Sequence, residues 1–471
     1  MNYNELFCFK HSNIKLFTYQ KFFKTFIMSI KLRLIIMSFL QFAVWGAYLT
    51  SMGNYLASIG MASKIGLFYA MQGIVSIFMP AIMGIIADRW IPVQRLLGIC
   101  HLVAAIFLIS AGYYGYVSGD SANFTTLFTL YSLSVAFFMP TIALSNSVAY
   151  TVLTDRNFDT IKDFPPIRTM GTVGFICAML FVNFVGYDQG ILGINFQNSD
   201  TFVSFQNTYA QFYVSGVLGI LLFLYSFSLP HCATNVSEGK VTISDALGLK
   251  AFALFKQRKM AIFFIFSMLL GVSLQITNGY ANPFIASFKS IPEYASSWGA
   301  NNANALISLS QLSETLCILL IPFVLKRFGI KQVMLFAMVA WVLRFGLFAV
   351  GNPGTGVWMF ILSMIVYGIA FDFFNVSGSL FVDKETDKKI RSSAQGVFMM
   401  MTNGFGATFG MIGAQYVVNH FVYSQNDIYL QLDGWKSSWL IFAAYALVVT
   451  ILFAVLFKYK HNPNQISNSS H

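Results

Sequence analysis

The 471-residue chain is 56% hydrophobic and only 10% charged, whereas soluble globular domains carry about 25% charged residues. Its net charge is +11, but the basic residues lie between long apolar runs, as in the cytoplasmic loops of membrane proteins, rather than on one surface. The composition therefore excludes the soluble globular class, argues against nucleic acid as a partner, and indicates a polytopic membrane protein.

Residues 1–27 do not resemble a signal peptide, because they contain no uninterrupted apolar run and no small-residue cleavage site. Met28 then opens the sequence MSIKLRLIIMSFL, a short basic lead into an apolar helix. We therefore expect Met28 to be the true start and residues 1–27 to be a non-native or disordered extension. The alternative is a basic aromatic helix lying on the inner membrane surface.

From Met28 onward, apolar runs separated by charged or turn-rich segments predict about twelve membrane spans. Of the 29 basic residues, 21 lie before the first span, in even-numbered loops or after the last span, whereas only three lie in odd-numbered loops. Because cytoplasmic loops are enriched in Lys and Arg, both termini are predicted to be cytoplasmic. The predicted spans are 33–59, 65–88, 93–114, 122–150, 166–186, 207–229, 259–288, 303–325, 330–350, 356–382, 390–420 and 433–457.

The longest basic segment between spans, residues 230–258, divides the chain into two halves of six predicted helices. We predict an N-terminal bundle at 28–229, a cytoplasmic linker at 230–258, a C-terminal bundle at 259–457 and a cytoplasmic tail at 458–471. Within the linker, SDALGLKAFALFKQRK begins with a Ser/Asp capping signal and predicts an amphipathic helix lying on the membrane.

Two loops suggest that the halves are related by duplication. GIIADRWIPVQRLLG (84–98) and PFVLKRFGIKQVMLF (322–336) both combine an apolar helix end, basic residues, an aromatic residue, a short turn and the next helix. In the first copy, Gly84, Asp88 and Arg89 resemble the loop motif of the major facilitator superfamily, although Trp90-Ile91-Pro92 departs from it. The resemblance implies that the glycine allows close helix contact and that the aspartate caps a helix and pairs with arginine. It predicts an all-α fold of two pseudo-symmetric six-helix bundles.

Span five begins in DFPPIRTMGTVGF and carries Arg168, Thr172 and Phe175 at i, i+4 and i+7, which places them on one helix face. Arg168 lies about 9 Å beyond Lys162 along the helix. Its side chain could therefore snorkel to the cytoplasmic surface. Alternatively, it points inward and its guanidinium faces a carboxylate or carbonyl oxygens.

Two acids lie deep within predicted spans, Glu314 in span eight and Asp372 in span ten. Each precedes a basic residue at the cytoplasmic end by 12 positions, so each lies about 18 Å from that end at 1.5 Å per residue. Because a carboxylate is costly inside a bilayer, two at one depth predict a shared water-accessible cavity.

Amide and aromatic residues extend the polar faces of these spans, although interhelical hydrogen bonding is the alternative role for any single amide. Arg344 and His101 lie near helix ends, and we expect them to be structural. The candidate residues at helical spacing are Gln41, Trp45 and Tyr48 in span one, Gln275, Asn278 and Asn282 in span seven, Gln311 with Glu314, and Tyr367, Phe371 and Asn375 with Asp372.

These groups together favour a carrier. An acid buried in the membrane can take up a proton near neutral pH and release it when the site changes sides. The amides and Glu314 suit hydroxyls and the edge of a heterocycle, while Phe175 and Phe371 could stack on a flat ring. A neutral, polar, partly aromatic solute such as a nucleoside fits best, and a sugar fits nearly as well.

Longer stretches resemble the nucleoside:proton symporter family of the major facilitator superfamily, the bacterial nucleoside permeases. They include DFPPIR, GLKAFALFKQRKMAIFFIFSMLLG, LQITN, SQLSETL, MIVYGIAFDFFNVSGSLFV and SAQGVFMMMTNGFG. The resemblance implies import of purine and pyrimidine nucleosides with protons across the bacterial inner membrane. From their position deep within predicted spans, we expect Asp372 and Glu314 to couple to protons. The resemblance also implies a nucleoside site formed by Arg168, Thr172, Phe175, Gln275, Asn278, Gln311, Glu314, Tyr367, Phe371 and Asp372.

Other classes of protein remain as alternatives. A symporter of sugars or other nucleoside-like neutral solutes is the nearest. A membrane enzyme would need a catalytic cluster near one interface, yet the six histidines form no pair at metal-ligand spacing. A receptor would need a sensory domain, and no loop is large enough to hold one. We therefore predict no enzyme activity, no cofactor and no metal, and we expect a monomer whose partners are nucleosides, protons and the lipid bilayer.

Overall fold

The computed structural model describes residues 30–196, 201–234, 249–387 and 390–459. The predicted extension at 1–27, the beginning of the predicted amphipathic helix and the end of the predicted tail lie outside these ranges. Within the described part of the amphipathic segment, Leu249–Lys256 forms a 3₁₀-helix that leads directly into the next long helix.

The described ranges are almost entirely helical, and nine of their helical segments are long and apolar enough to cross a membrane. Short π-helical stretches at Met400–Gly406 and Asn419–Tyr423 continue the α-helices Arg391–Met399 and Ala407–Val418 into one long element. The helices are α1 (30–46), α2 (Met52–Ser58), α3 (Ile65–Arg89), α4 (Val93–Ser118), α5 (Phe124–Asp155), α6 (Thr160–Phe184), α7 (Ala210–Ser226), α8 (Arg258–Ser287), α9 (Trp298–Asn301), α10 (Ala303–Val350), α11 (Val357–Glu385), α12 (Arg391–Met399), α13 (Ala407–Val418) and α14 (Ile428–Leu456).

Each predicted span overlaps a helix, but four spans differ from a single long helix. The first is α1 followed by a turn at 47–51 and the short helix α2. The sixth is α7, which has only 17 residues. The eighth and ninth are both contained in α10, which is broken at Gly329, where the φ of 79° and ψ of 168° are not helical. Glycine adopts this positive φ readily because it has no Cβ.

Span five begins earlier than its two prolines indicate. We predicted a start at residue 166, but α6 begins at Thr160 and contains Pro165 and Pro166 within its first turns. The carboxylate of Asp159 accepts a hydrogen bond from the backbone N–H of Lys162 at 3.4 Å, so Asp159 caps the helix start. The cap, rather than the prolines, therefore sets the beginning of this helix.

The segment between predicted spans five and six contains a small antiparallel sheet. Its strands are β1 (Val185–Asp188), β2 (Ile191–Ile194) and β3 (Phe202–Ser204), in the order β2-β1-β3. The β1–β2 hairpin turns through Gln189 and Gly190, which both have positive φ, as two-residue hairpin turns of the favoured type require.

Residues 30–234 (the first half) and 249–459 (the second half) are joined by polar contacts at the end of the molecule that carries this sheet. Thr50 Oγ1 donates to Asn304 Oδ1 at 2.6 Å, and Asn183 Nδ2 donates to Asn302 Oδ1 at 2.8 Å. Asn419 Nδ2 donates to the carbonyl of Ser63 at 3.2 Å. This end of the molecule is therefore closed by neutral hydrogen bonds between the halves.

At the opposite end, ion pairs join residues within one half. Lys31 pairs with Asp163 at 2.6 Å in the first half, and Lys259 pairs with Glu385 at 2.7 Å in the second. The two halves therefore hold their own helices together at this end, while the contacts described above connect them at the other.

Within the first half, α1 and α6 approach closely through glycine. A Cβ added at Gly174 would overlap the backbone carbonyl of Phe39, and one added at Gly46 would overlap the backbone of Phe175. This approach places α6, and with it the predicted site residues of span five, directly against α1.

We expect Gly174→Ala to lower the melting temperature by several degrees, because overpacking costs about 1–3 kcal/mol when the neighbour is backbone and cannot move aside. Thermal unfolding of the purified protein in detergent measures the effect. Gly346→Ala is the matched control, since no heavy atom lies within 4 Å of its added Cβ. Equal melting temperatures for the two variants would contradict the proposed close packing.

Candidate functional site

A cavity of about 700 Å³ lies between the two halves. Helix α3 shows where the halves separate, because Gly66 and Gly73 approach the α12–α13 element closely, whereas Pro80 and Ala81, farther along α3, line the cavity. Ser393 and Gly396 line it from the opposite half. The cavity therefore widens toward the end of the molecule that carries Arg89 and Arg391.

Nine of the ten residues predicted to bind the solute line this single cavity. The first half contributes its share from α6, and the second half contributes from α8, α10 and α11. These residues are Arg168, Thr172, Phe175, Gln275, Asn278, Gln311, Glu314, Tyr367 and Phe371.

Asp372 is the exception, because it does not line the cavity. Its side chain is buried, with 5% exposed, directly behind the wall that Phe371 forms. Consecutive residues of an α-helix point about 100° apart, so Asp372 cannot share the direction of Phe371. Among the described residues its Oδ2 has no hydrogen-bond partner. Asp372 nevertheless lies within electrostatic range of Glu314 and Arg168.

Arg168 takes the inward of the two orientations that the sequence allowed. Its guanidinium carbon lies 3.9 Å from the centroid of the Phe42 ring, and both residues line the cavity. A cation at this distance is attracted to the face of an aromatic ring. Glu314 and Asp372 are the acids within electrostatic range of Arg168, so the positive charge of the cavity faces two buried acids from the other half.

The predicted amide face of span seven divides into two parts. Asn278 Nδ2 donates to Gln275 Oε1 at 3.4 Å, and both side chains line the cavity. Asn282 is fully buried and its Nδ2 donates to Asn304 Oδ1 at 3.0 Å. Asn282 therefore belongs to the closed end of the molecule, which is the interhelical role that the sequence left open for any single amide.

Aromatic rings form two walls of the cavity, one in each half. In the second half the Tyr367 and Phe371 rings are parallel, with an interplanar angle of 5° and centroids 5.9 Å apart. In the first half Phe175 meets Trp45 edge to face at 6.2 Å. These flat surfaces suit an aromatic solute, while the amides and Glu314 offer hydrogen bonds at its edge.

The sequence reasoning missed several cavity residues. Gln72 and Ser76 lie on α3 at i and i+4, a spacing that was available as a signal, whereas Phe42 and Met139 could not be told from ordinary core residues. Gln72 Nε2 donates to the Tyr131 hydroxyl at 2.8 Å. The missed cavity residues are Phe42, Leu49, Gln72, Ser76, Ile77, Pro80, Ala81, Met139, Ile142, Ala143, Asn146, Leu274, Ser393, Gly396, Met399, Met400 and Asn403.

The loop motif lies at the wide end of the cavity. The close helix contact that we expected at Gly84 is absent, since no described heavy atom lies within 4 Å of an added Cβ. The physical reason is that the halves have already separated at this level of α3. Asp88 is exposed. Within the described ranges, no group of three His, Cys, Asp or Glu side chains could hold a metal ion.

The family model for nucleoside H+ symporters matches residues 28–462. The chain is 44% identical over 440 residues to the nucleoside permease NupG of Escherichia coli (strain K12), covering 92% of this chain and 97% of that protein. It is 43% identical over 447 residues to the xanthosine permease of the same organism, covering 94% and 99%.

Solved structures agree with these matches. A crystal structure of the nucleoside transporter NupG superposes with a TM-score of 0.79 at 43% identity, covering 92% of this chain and 100% of that one. The D-xylose–proton symporter shares the fold alone, with a TM-score of 0.64 at 14% identity, covering 93% and 98%. The chain belongs to the nucleoside H+ symporter family of the major facilitator superfamily.

Proposed function

We propose that this chain imports purine and pyrimidine nucleosides together with protons across the bacterial inner membrane by alternating access. The observation that carries the proposal is the assembly of the nine predicted residues around one cavity between the halves. Membership of the nucleoside H+ symporter family supports the nucleoside and the proton. The fold shared with other carriers supports the rocking of two halves around a central site.

The topology we propose has twelve membrane spans in two six-helix bundles, with both termini cytoplasmic and the chain acting as a monomer. The break at Gly329 supports the separation of α10 into two spans. The bias of basic residues toward even-numbered loops supports the orientation. In this orientation the end closed by Thr50, Asn183 and Asn304 faces the outside, and the cavity opens toward the cytoplasm.

The cavity provides the two kinds of contact that a nucleoside requires. The base would lie against the parallel Tyr367 and Phe371 rings, with Phe175 approaching from the other half. The ribose hydroxyls and the edge of the base would meet the amides of Gln275 and Gln311 and the carboxyl of Glu314. Because stacking does not depend on the identity of the base, this arrangement supports acceptance of both purines and pyrimidines.

We assign proton coupling to Asp372 together with Glu314. Asp372 is buried behind the cavity wall, with one carboxyl oxygen unpartnered among the described residues. A neutral acid is cheaper to bury than a carboxylate, so a protonated Asp372 stabilises this arrangement of the halves. Glu314 differs because it lines the cavity and can contact the solute directly, which would link proton binding to solute binding.

Gly84, Asp88 and Arg89 would act in the opposite state of the transport cycle. They lie at the end of α3 that faces the opening of the cavity. Closing the cytoplasmic end would bring α3 toward the second half, where the missing Cβ of Gly84 would permit close approach. The loop motif would then contribute to the outward-open state and not to the conformation described above.

Uptake of radiolabelled uridine and adenosine into membrane vesicles, with and without a proton gradient, tests the proposal. We expect accumulation that a protonophore abolishes and that excess unlabelled nucleoside, but not excess sugar, inhibits. Accumulation that survives collapse of the gradient would contradict proton coupling. Competition by sugars with no competition by nucleosides would instead favour the sugar symporter.

Asp372→Asn should abolish gradient-driven accumulation while nucleoside counterflow persists, because the amide cannot release a proton but leaves the cavity wall intact. Accumulation and counterflow are measured on the same vesicles. Asp433→Asn is the matched control, since Asp433 is exposed. Normal accumulation by Asp372→Asn would show that Asp372 does not carry the coupled proton.

Glu314→Gln should weaken nucleoside binding about tenfold, because a hydrogen bond to a charged group contributes about 1.5–3 kcal/mol. Titration calorimetry on the purified protein measures the dissociation constant. The same chemical change at the exposed residue Glu293 should leave the constant unaltered. If Glu314→Gln binds nucleoside with wild-type affinity, Glu314 does not contact the nucleoside and its role is structural.

Thr172→Trp should reduce nucleoside binding at least tenfold, because the indole would occupy space that the base requires. Thr169 lies one turn earlier on α6 and is exposed, so Thr169→Trp makes the same substitution away from the cavity. Binding is measured as for Glu314→Gln. Equal affinities for the two tryptophan variants would show that the solute binds elsewhere.

A further inference from the structure

Arg344 is a fully buried arginine on α10, and the role proposed for the cavity does not use it. Its Nη1 donates to the backbone carbonyl of Ser363 at 2.7 Å and to Ser310 Oγ at 3.4 Å. Among the described residues its Nε and Nη2 have no hydrogen-bond partner, and no carboxylate forms an ion pair with it. A buried cation with so few polar partners is costly, so the packing around it must favour the charge in another way.

Two aromatic rings provide that environment. The guanidinium carbon lies 4.5 Å from the centroid of the Tyr367 ring and 5.1 Å from that of Phe348. Both distances are within the range of about 6 Å in which a cation is attracted to the face of an aromatic ring, and the attraction is strongest where water is excluded. Arg344 is therefore held largely by ring faces.

Tyr367 connects this buried cation to the cavity. Its ring is parallel to that of Phe371, and its hydroxyl lies near the side chain of Gln311. The edge of Trp341 meets it at 5.9 Å. Tyr367, Phe371 and Gln311 line the cavity, whereas Arg344 does not. Arg344 thus contacts from behind the ring that the solute would meet from the front.

We propose that Arg344 is a positioning residue for solute binding: by holding the Tyr367 ring from behind, it fixes the orientation of Phe371 and Gln311 in the cavity. The proposal rests on the proposed function in taking the cavity as the nucleoside site. It predicts that removing the guanidinium disturbs affinity only through Tyr367. A residue that merely filled space between α10 and α11 would change stability without that dependence.

A double-mutant cycle on uridine binding tests the proposal. We expect Arg344→Met to weaken binding about tenfold, as loss of a desolvated cation–π contact implies. Arg344→Lys keeps the cation and should recover most of the affinity. In the Tyr367→Leu background, Arg344→Met should cause little further loss, because the two residues act as one unit. Losses that add independently, or wild-type affinity in folded Arg344→Met, would overturn the role.

Ser363→Ala is the matched control for packing. It removes the hydrogen bond from Ser363 Oγ to the Arg344 carbonyl at 3.1 Å and leaves the guanidinium in place. We expect a lower melting temperature and unchanged uridine affinity; a loss of affinity equal to that of Arg344→Met would show that general packing between α10 and α11 is responsible.

Failure of the Arg344→Met variant to fold and failure of the wild type to bind uridine have different consequences. If Arg344→Met does not fold, the cycle is run with Arg344→Lys and Tyr367→Leu, where a smaller but non-zero coupling is expected and zero coupling overturns the role. A wild-type protein that binds no uridine would contradict the proposed function. If the wild type binds uridine but the Arg344 and Tyr367 substitutions lower the affinity independently of one another, only the role of Arg344 is contradicted.

Discussion

A charged side chain at the centre of a bilayer costs roughly 2.5–3.5 kcal/mol on insertion scales, and this constraint determines where the cavity lies. Arg168 and Glu314 avoid this cost because they line the cavity between the halves. Asp372 lies immediately behind that wall, where it can be buried as the neutral acid. Arg344, farther back, lies against the Tyr367 and Phe348 rings and a backbone carbonyl. The charged groups that do not line the cavity must therefore be neutralised or held by specific packing partners.

This arrangement couples parts of the second half that are distant in sequence. Glu314 lies on α10 before the break at Gly329, and Arg344 lies on α10 after it. Asp372 lies on α11. Tyr367 lies within electrostatic range of all three. The ring that lines the cavity is therefore a common neighbour of both acids and of Arg344. Proton binding and solute binding can influence one another through this ring without a direct contact between proton and solute.

Helical periodicity accounts for what the sequence predicted well and for what it did not. Depth along the helix placed Glu314 at the cavity, and spacing placed Thr172, Phe175 and Gln311 on the correct faces. Asp372 was misplaced because a face inferred from one helix spans about half its surface, and only the packing of neighbouring helices decides which part is open. Distance from a helix end gave no information on the aromatic neighbours of Arg344. The β1–β2 hairpin depends on turn geometry at Gln189 and Gly190, which the search for membrane spans did not address.

The contacts that close the end of the molecule carrying the sheet are suited to a carrier because they are neutral. Thr50, Asn183 and their partners form hydrogen bonds between uncharged groups, each contributing only about 0.5–1.5 kcal/mol because water replaces the lost partner. Breaking a buried ion pair instead costs about 3–5 kcal/mol. A ligand shifts a two-state equilibrium only by its difference in affinity for the two states. A closure made of several weak amide contacts therefore keeps the opening free energy within the range that nucleoside and proton binding can reverse.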